Sequence, residues 1–120
     1  GIGGFSSGAI AAFTAAWQRP DFFSKVFSAC GSFVDIRGGG AYSELIAQSD
    51  RKPIRVFLQV GANALLPGKF EGLDWSAGNR AVGRSLALKG YDFQLVIGEG
   101  GHSCSQGASI LPDALQWLWR

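Results

Sequence analysis

Two short segments at opposite ends of the chain hold side chains that could do covalent chemistry together. The first is Gly4-Phe5-Ser6-Ser7-Gly8, and the second is Gly100-Gly101-His102-Ser103, which contains the only histidine. A serine set between glycines as G-x-S-x-G fits a sharp strand-to-helix turn that leaves its Oγ exposed. An unassisted hydroxyl is a poor nucleophile near neutral pH and needs a base within hydrogen-bond reach. His102 is the one base of the usual kind, and flanking glycines suit a loop that presents it. The pairing points to acyl transfer, with Ser6 as nucleophile and His102 as general base. The alternative is a glycine-rich turn opening a helix, with Ser6 as an ordinary N-cap and His102 as a satisfied structural residue.

The elements that must position these residues can be read from the pattern. Residues 7–18 are alanine-rich, with Ile10, Phe13 and Trp17 at helical spacing. Arg19-Pro20 stops this helix, because the residue before proline avoids the α region. Lys25 to Gly31 reads as a short buried strand and Tyr42 to Gln48 as a short helix. Ile54 to Val60 is the clearest strand, β-branched and aromatic after a proline boundary. Residues 61–74 form a long loop containing Pro67, of a length often tied to function. A helix from about Trp75 to Lys89 follows, with Asp74 placed to cap it and Gly90 to end it. Asp92 to Ile97 is a further strand, and Leu111 to Trp119 a closing helix with Pro112 in its first turn.

Strands alternating with helices predict an α/β fold, a parallel sheet covered by helices on both faces. Ligands of such sheets lie at the carboxyl ends of the strands. Ser6, the loop after Val60 and the loop bearing His102 all fall at that edge. The 120 residues suit one domain, and 47% hydrophobic residues can build its core. A net charge of +2 with interspersed signs gives no basic stripe for nucleic acid. No apolar run reaches the length of a membrane span.

One histidine and two scattered cysteines match no zinc spacing, and the N-terminal glycines do not supply a dinucleotide fingerprint. No metal or cofactor is therefore expected. Cys30 and Cys104 read as reduced thiols, too few for a disulfide framework. The four tryptophans read as core and helix-packing residues, although Trp75 could line an acyl or aryl pocket.

GGFSSGAIAAFTAAWQRPDFFSKVFSACGSF, IRVFLQVGAN, ALKGYDFQLVIGEGGHS and ILPDALQWLW together cover most of the chain. In this order they resemble the esterase family of α/β-hydrolases that includes enterochelin esterase and feruloyl esterase relatives. The resemblance implies a single partial domain over residues 1–120, the C-terminal half of an α/β-hydrolase beginning at the nucleophile elbow. It implies a serine esterase acting on a small-molecule ester, with an acyl-enzyme on Ser6, His102 as base, and the Ser7 backbone N–H as one oxyanion donor. The family's other donor comes from an earlier loop that this chain does not contain.

One departure concerns the acid of the triad. Relatives carry a carboxylate in a G-x-N-D pattern after the strand matching Ile54–Val60, whereas this chain reads Gly61-Ala62-Asn63-Ala64. Asp74 and Glu71, further along the same loop, are the candidate substitutes. Their alternatives are a helix cap for Asp74 and a solvated loop charge for Glu71. With Ala64 at the acid position, the rival expectation is a hydrolase fold retained for binding or structure.

Overall fold

The structure is a computed structural model that describes residues 1–36, 38–66 and 68–120, with only the backbone at Cys104. Arg37 and Pro67, the latter part of the expected loop, lie outside the described residues. Eight main elements alternate along the chain. They are β1 (Ile2–Phe5), α1 (Ser7–Gln18), β2 (Lys25–Ala29), α2 (Tyr42–Gln48), β3 (Arg55–Gly61), α3 (Trp75–Leu88), β4 (Asp92–Gly98) and α4 (Cys104–Leu118).

The four strands form one parallel sheet in the order β1-β2-β3-β4. Neighbours in sequence are thus neighbours in space, joined by helical crossovers. Side chains on a strand alternate between faces, and each face has its own cover. Val26, Val56 and Leu58 meet Phe13 and Trp17 of α1, Ile46 of α2, and Val82 and Leu86 of α3. Phe57 meets Ala114 and Leu118 of α4 on the opposite face, with Phe27 and Val96 packed alongside. A third cluster joins Cys30, Val34, Val60, Ala64 and Trp75 at the carboxyl ends of the strands.

Several boundaries differ from the expectation. β2 ends at Ala29 because Cys30 takes φ +47°, which bends the chain out of the sheet. The closing helix begins at Cys104, seven residues earlier than the sequence suggested, and Pro112 lies inside it. Interior proline removes a helical hydrogen bond, so the pattern argued for a start at Leu111. Packing decides otherwise: Gly107 lies close against Ala29, and Gln106 bonds the buried Gln59 side chain. The loop after β3 is partly ordered by a short 3₁₀ turn, Gly68–Phe70, and a bridge between Leu65 and Asp74.

An apolar groove of about 490 Å³ runs along the unpaired side of β1, between that strand and α4. Among the described residues no helix is long and apolar enough to cross a membrane.

Candidate active site

Ser6 stands between β1 and α1 with φ +57° and ψ −118°, outside the regions that ordinary residues prefer. Backbone held this way is strained, and the surroundings must enforce it. Here the Ser6 N–H donates to the Ala29 carbonyl (2.9 Å), and the Ser6 carbonyl accepts from Ala9 and Ser32. Gly4 allows the close approach. A Cβ at that position would lie 2.3 Å from the Gly8 oxygen and 2.4 Å from its carbonyl carbon. Gly8 itself has nothing within 4 Å of such an atom. The first glycine of the motif is thus a steric requirement, and the second is not.

His102 reaches Ser6 from the other side of the sheet. Its loop is tied to the loop after β3, where Ala62 N–H donates to Gly98 O (2.7 Å) and Asn63 N–H to Gly100 O (2.9 Å). Gly61 leaves room for the Gly100 and Gly101 carbonyls, which would stand 2.7 and 2.5 Å from a Cβ there. The half-buried imidazole is flanked by the rings of Phe5 (5.1 Å between centroids) and Trp75 (4.9 Å). His102 Nε2 lies 3.0 Å from Ser6 Oγ. Burial lowers the imidazole pKa below its ordinary value, which favours the neutral base.

The other ring nitrogen, Nδ1, lies 2.9 Å from Cys30 Sγ. Cys30 carries a free thiol and is fully buried. Burial raises its pKa, while a hydrogen bond from the Gly61 backbone to the sulfur pulls the other way. Ser6 Oγ also lies 3.0 Å from Ser32 Oγ, which in turn accepts from Trp75 Nε1–H (3.1 Å). Indole can only donate. Ser32 thus has its own proton available for Ser6 Oγ, an arrangement that leaves the Ser6 proton for Nε2 whenever that nitrogen is unprotonated.

The structure brings Ser6 and His102 together but leaves both candidate acids elsewhere. Asp74 accepts from the Ala77 N–H (3.1 Å) as the N-cap of α3. Glu71 is an exposed loop residue. Among the described residues neither carboxylate hydrogen-bonds His102. Ala64, where the acid was expected, is fully buried, and its carbonyl accepts from Trp75 N–H (3.1 Å). Ser7 opens α1, where the first N–H groups have no helical partner. An anion there would also gain from the helix dipole.

Cys30 and Ser32 are the residues that sequence reasoning missed. Both follow β2 at the carboxyl edge of the sheet, so the position of that strand's end is the signal that points to them. Beside Ser6 lies a cavity of about 540 Å³ bordered by Ile10, Ile36, Leu66, Phe70, Trp75 and Lys69. Trp75, nearly fully buried, thus serves the core and the pocket together. Among the described residues no three His, Cys, Asp or Glu side chains gather as a metal would require.

No family model and no curated protein matches this sequence. Solved structures do match it. A ferulic acid esterase superposes with a TM-score of 0.74 at 17% identity, over 97% of this chain and 50% of that one. An enterobactin esterase from Shigella flexneri, determined in the presence of enterobactin, gives 0.78 at 22% identity, over 98% and 29%. A ferric enterobactin esterase from Salmonella typhimurium gives 0.69 at 18%, over 98% and 29%. The fold is similar to part of an α/β-hydrolase esterase. The chain spans half or less of the length of these proteins.

Proposed function

We propose that this chain carries the nucleophile and base of a serine acyl hydrolase acting on a small-molecule carboxylic ester. The observation that carries the reading is the 3.0 Å approach of His102 Nε2 to Ser6 Oγ, with Ser6 held at φ +57°. In the first step Oγ attacks the ester carbonyl carbon as its proton passes to Nε2. The carbonyl electron pair moves to oxygen, beside the Ser7 N–H. Collapse expels the alcohol, which takes the proton from Nε2 and leaves an acyl-Ser6. Water then repeats the sequence with the same base.

The test is covalent labelling by a fluorophosphonate. Ser6 should be modified, Ser6→Ala should abolish labelling, and His102→Gln should slow it by several orders of magnitude. Labelling that persists in Ser6→Ala would refute the assignment.

A second reading, a hydrolase fold kept for binding or structure, is favoured by one observation. His102 Nδ1 faces a thiol, where a carboxylate would be expected to complete a triad. Turnover of p-nitrophenyl acetate that is the same in the protein and in Ser6→Ala would favour that reading.

A further inference from the structure

The residue opposite His102 Nδ1 has no role in the scheme above, yet it occupies the position from which a base is oriented. We propose that Cys30 is the positioning residue of this site: its sulfur takes the place of the carboxylate, and the relay is complete when that sulfur is a thiolate. The inference rests on the acyl-hydrolase reading for its consequence, though its geometry stands alone.

The Cys30 sulfur lies 2.9 Å from His102 Nδ1, the one hydrogen-bond contact it makes to a side chain among the described residues. A carboxylate in a triad accepts from Nδ1–H, fixes the tautomer with Nε2 unprotonated, and balances the imidazolium formed during attack. A thiolate can do all three. A thiol cannot, because it carries no charge and its own proton can be donated to Nδ1. The proton of the neutral ring then sits on Nε2, where it faces Ser6 Oγ as a donor and cannot accept the serine proton.

Ionisation of Cys30 removes that competing donor and supplies the missing charge in one event. During attack the Ser6 proton moves to Nε2 and later to the leaving alkoxide, while the Nδ1 proton stays on nitrogen, donated to the thiolate sulfur throughout. No group is oxidised or reduced.

The surroundings bear on how this titrates. Cys30 packs with Val34, Val60, Ala64 and Trp75. Besides the Gly61 backbone from β3, His102 is the one titratable side chain in contact with the sulfur among the described residues. Burial without a neighbouring cation moves the thiol above its ordinary value. Full activity therefore belongs to alkaline solution, in contrast to a carboxylate triad.

The experiment has two arms. The first is the rate of fluorophosphonate labelling of Ser6 against pH, in the protein, in Cys30→Ser and in Cys30→Asp. The rate in the protein should rise about tenfold per pH unit up to the thiol's pKa, which lies above the ordinary thiol value of about 8.5, and level off beyond it. Cys30→Ser keeps the size and loses that rise. Cys30→Asp should label at least tenfold faster than the protein at pH 7 and flatten the profile, since loss of the triad acid can cost about 10⁴ in kcat. Aspartate also tolerates the positive φ at this position better than most residues. A rate that levels off near neutrality and is unchanged in Cys30→Ser would overturn the proposal.

The second arm uses no activity. His102 is the sole histidine, so the ring nitrogens of ¹⁵N-labelled protein are assigned without ambiguity. Above the thiol ionisation, Nδ1 should bear the proton and Nε2 should not. A proton found on Nε2 there sinks the inference even if Cys30→Asp fails to fold. Absence of Ser6 labelling in every form at every pH would instead count against the acyl-hydrolase reading, and the nitrogen spectrum would still decide the role of Cys30.

Discussion

Replacing Gly4 by alanine should damage this site far more than the same change at Gly8, although both are glycines of one motif. A Cβ at Gly4 would come within 2.3 Å of Gly8 O, 2.4 Å of Gly8 C and 2.8 Å of Ala9 N. All three are backbone atoms at the start of α1, so no side-chain rotation relieves the clash. Ordinary carbon contacts lie near 3.5 Å, so β1 and α1 must separate by roughly 1 Å. Overpacking of this kind costs about 1–3 kcal/mol. A 1 Å displacement of reacting groups can cost about 10²-fold in rate.

Gly4→Ala should therefore lower the melting temperature by several degrees and slow Ser6 labelling about a hundredfold. Gly8 is exposed, and an added Cβ there meets nothing within 4 Å. Gly8→Ala should melt at or slightly above the parent temperature and label within about twofold of it, as alanine favours helix. Thermal melts monitored by circular dichroism, paired with labelling rates, decide the matter. If the two variants behave alike, or Gly4→Ala keeps the parent rate, the steric account of the elbow is wrong.

Asp74→Ala should destabilise the protein by about 1 kcal/mol through loss of the α3 cap and leave the labelling rate within twofold. A fall of several orders of magnitude would restore Asp74 as the acid. Glu71→Gln should change neither quantity in the same two assays. Ser32→Ala removes the acceptor of Trp75 Nε1–H and should cost about 1–3 kcal/mol, the penalty of an orphaned buried donor, measured by denaturant unfolding. Because burial lowers the His102 pKa, its stabilising contribution should be full above the unfolded value of about 6.5 and be lost as pH falls through the lower folded one. His102→Gln should remove that part of the acid sensitivity, so identical pH-stability curves for the two proteins would contradict it.

Much of this arrangement was legible in the residues. Alanine-rich helical spacing gave α1 to the residue, and the β-branched run after Pro53 located β3 within one position. The parallel sheet and the shared carboxyl edge follow from the alternation of elements, whereas the strand order β1-β2-β3-β4 does not. What escaped depends on tertiary packing. The left-handed bend at Cys30 has no local signature, because cysteine is no more suited to it than its neighbours. The early start of α4 is decided by contacts of Gln106 and Gly107 across the sheet, against the local message of Pro112. A carboxylate before a helix looks the same as cap or as acid, so the residues leave both roles open to Asp74; the bond to Ala77 is the one the structure contains.

Ser6 and His102 follow the two outermost strands of the four. Three strand spacings of ~4.8 Å separate those edges, ~14 Å in all, and the histidine loop must bridge most of that distance. A change in sheet coiling of only a few degrees would accumulate over the full width and pull nucleophile and base apart. Under the proposed function, proton transfer would thus act as a gauge of how true the whole sheet is, and distant core substitutions that leave the fold standing would still silence it.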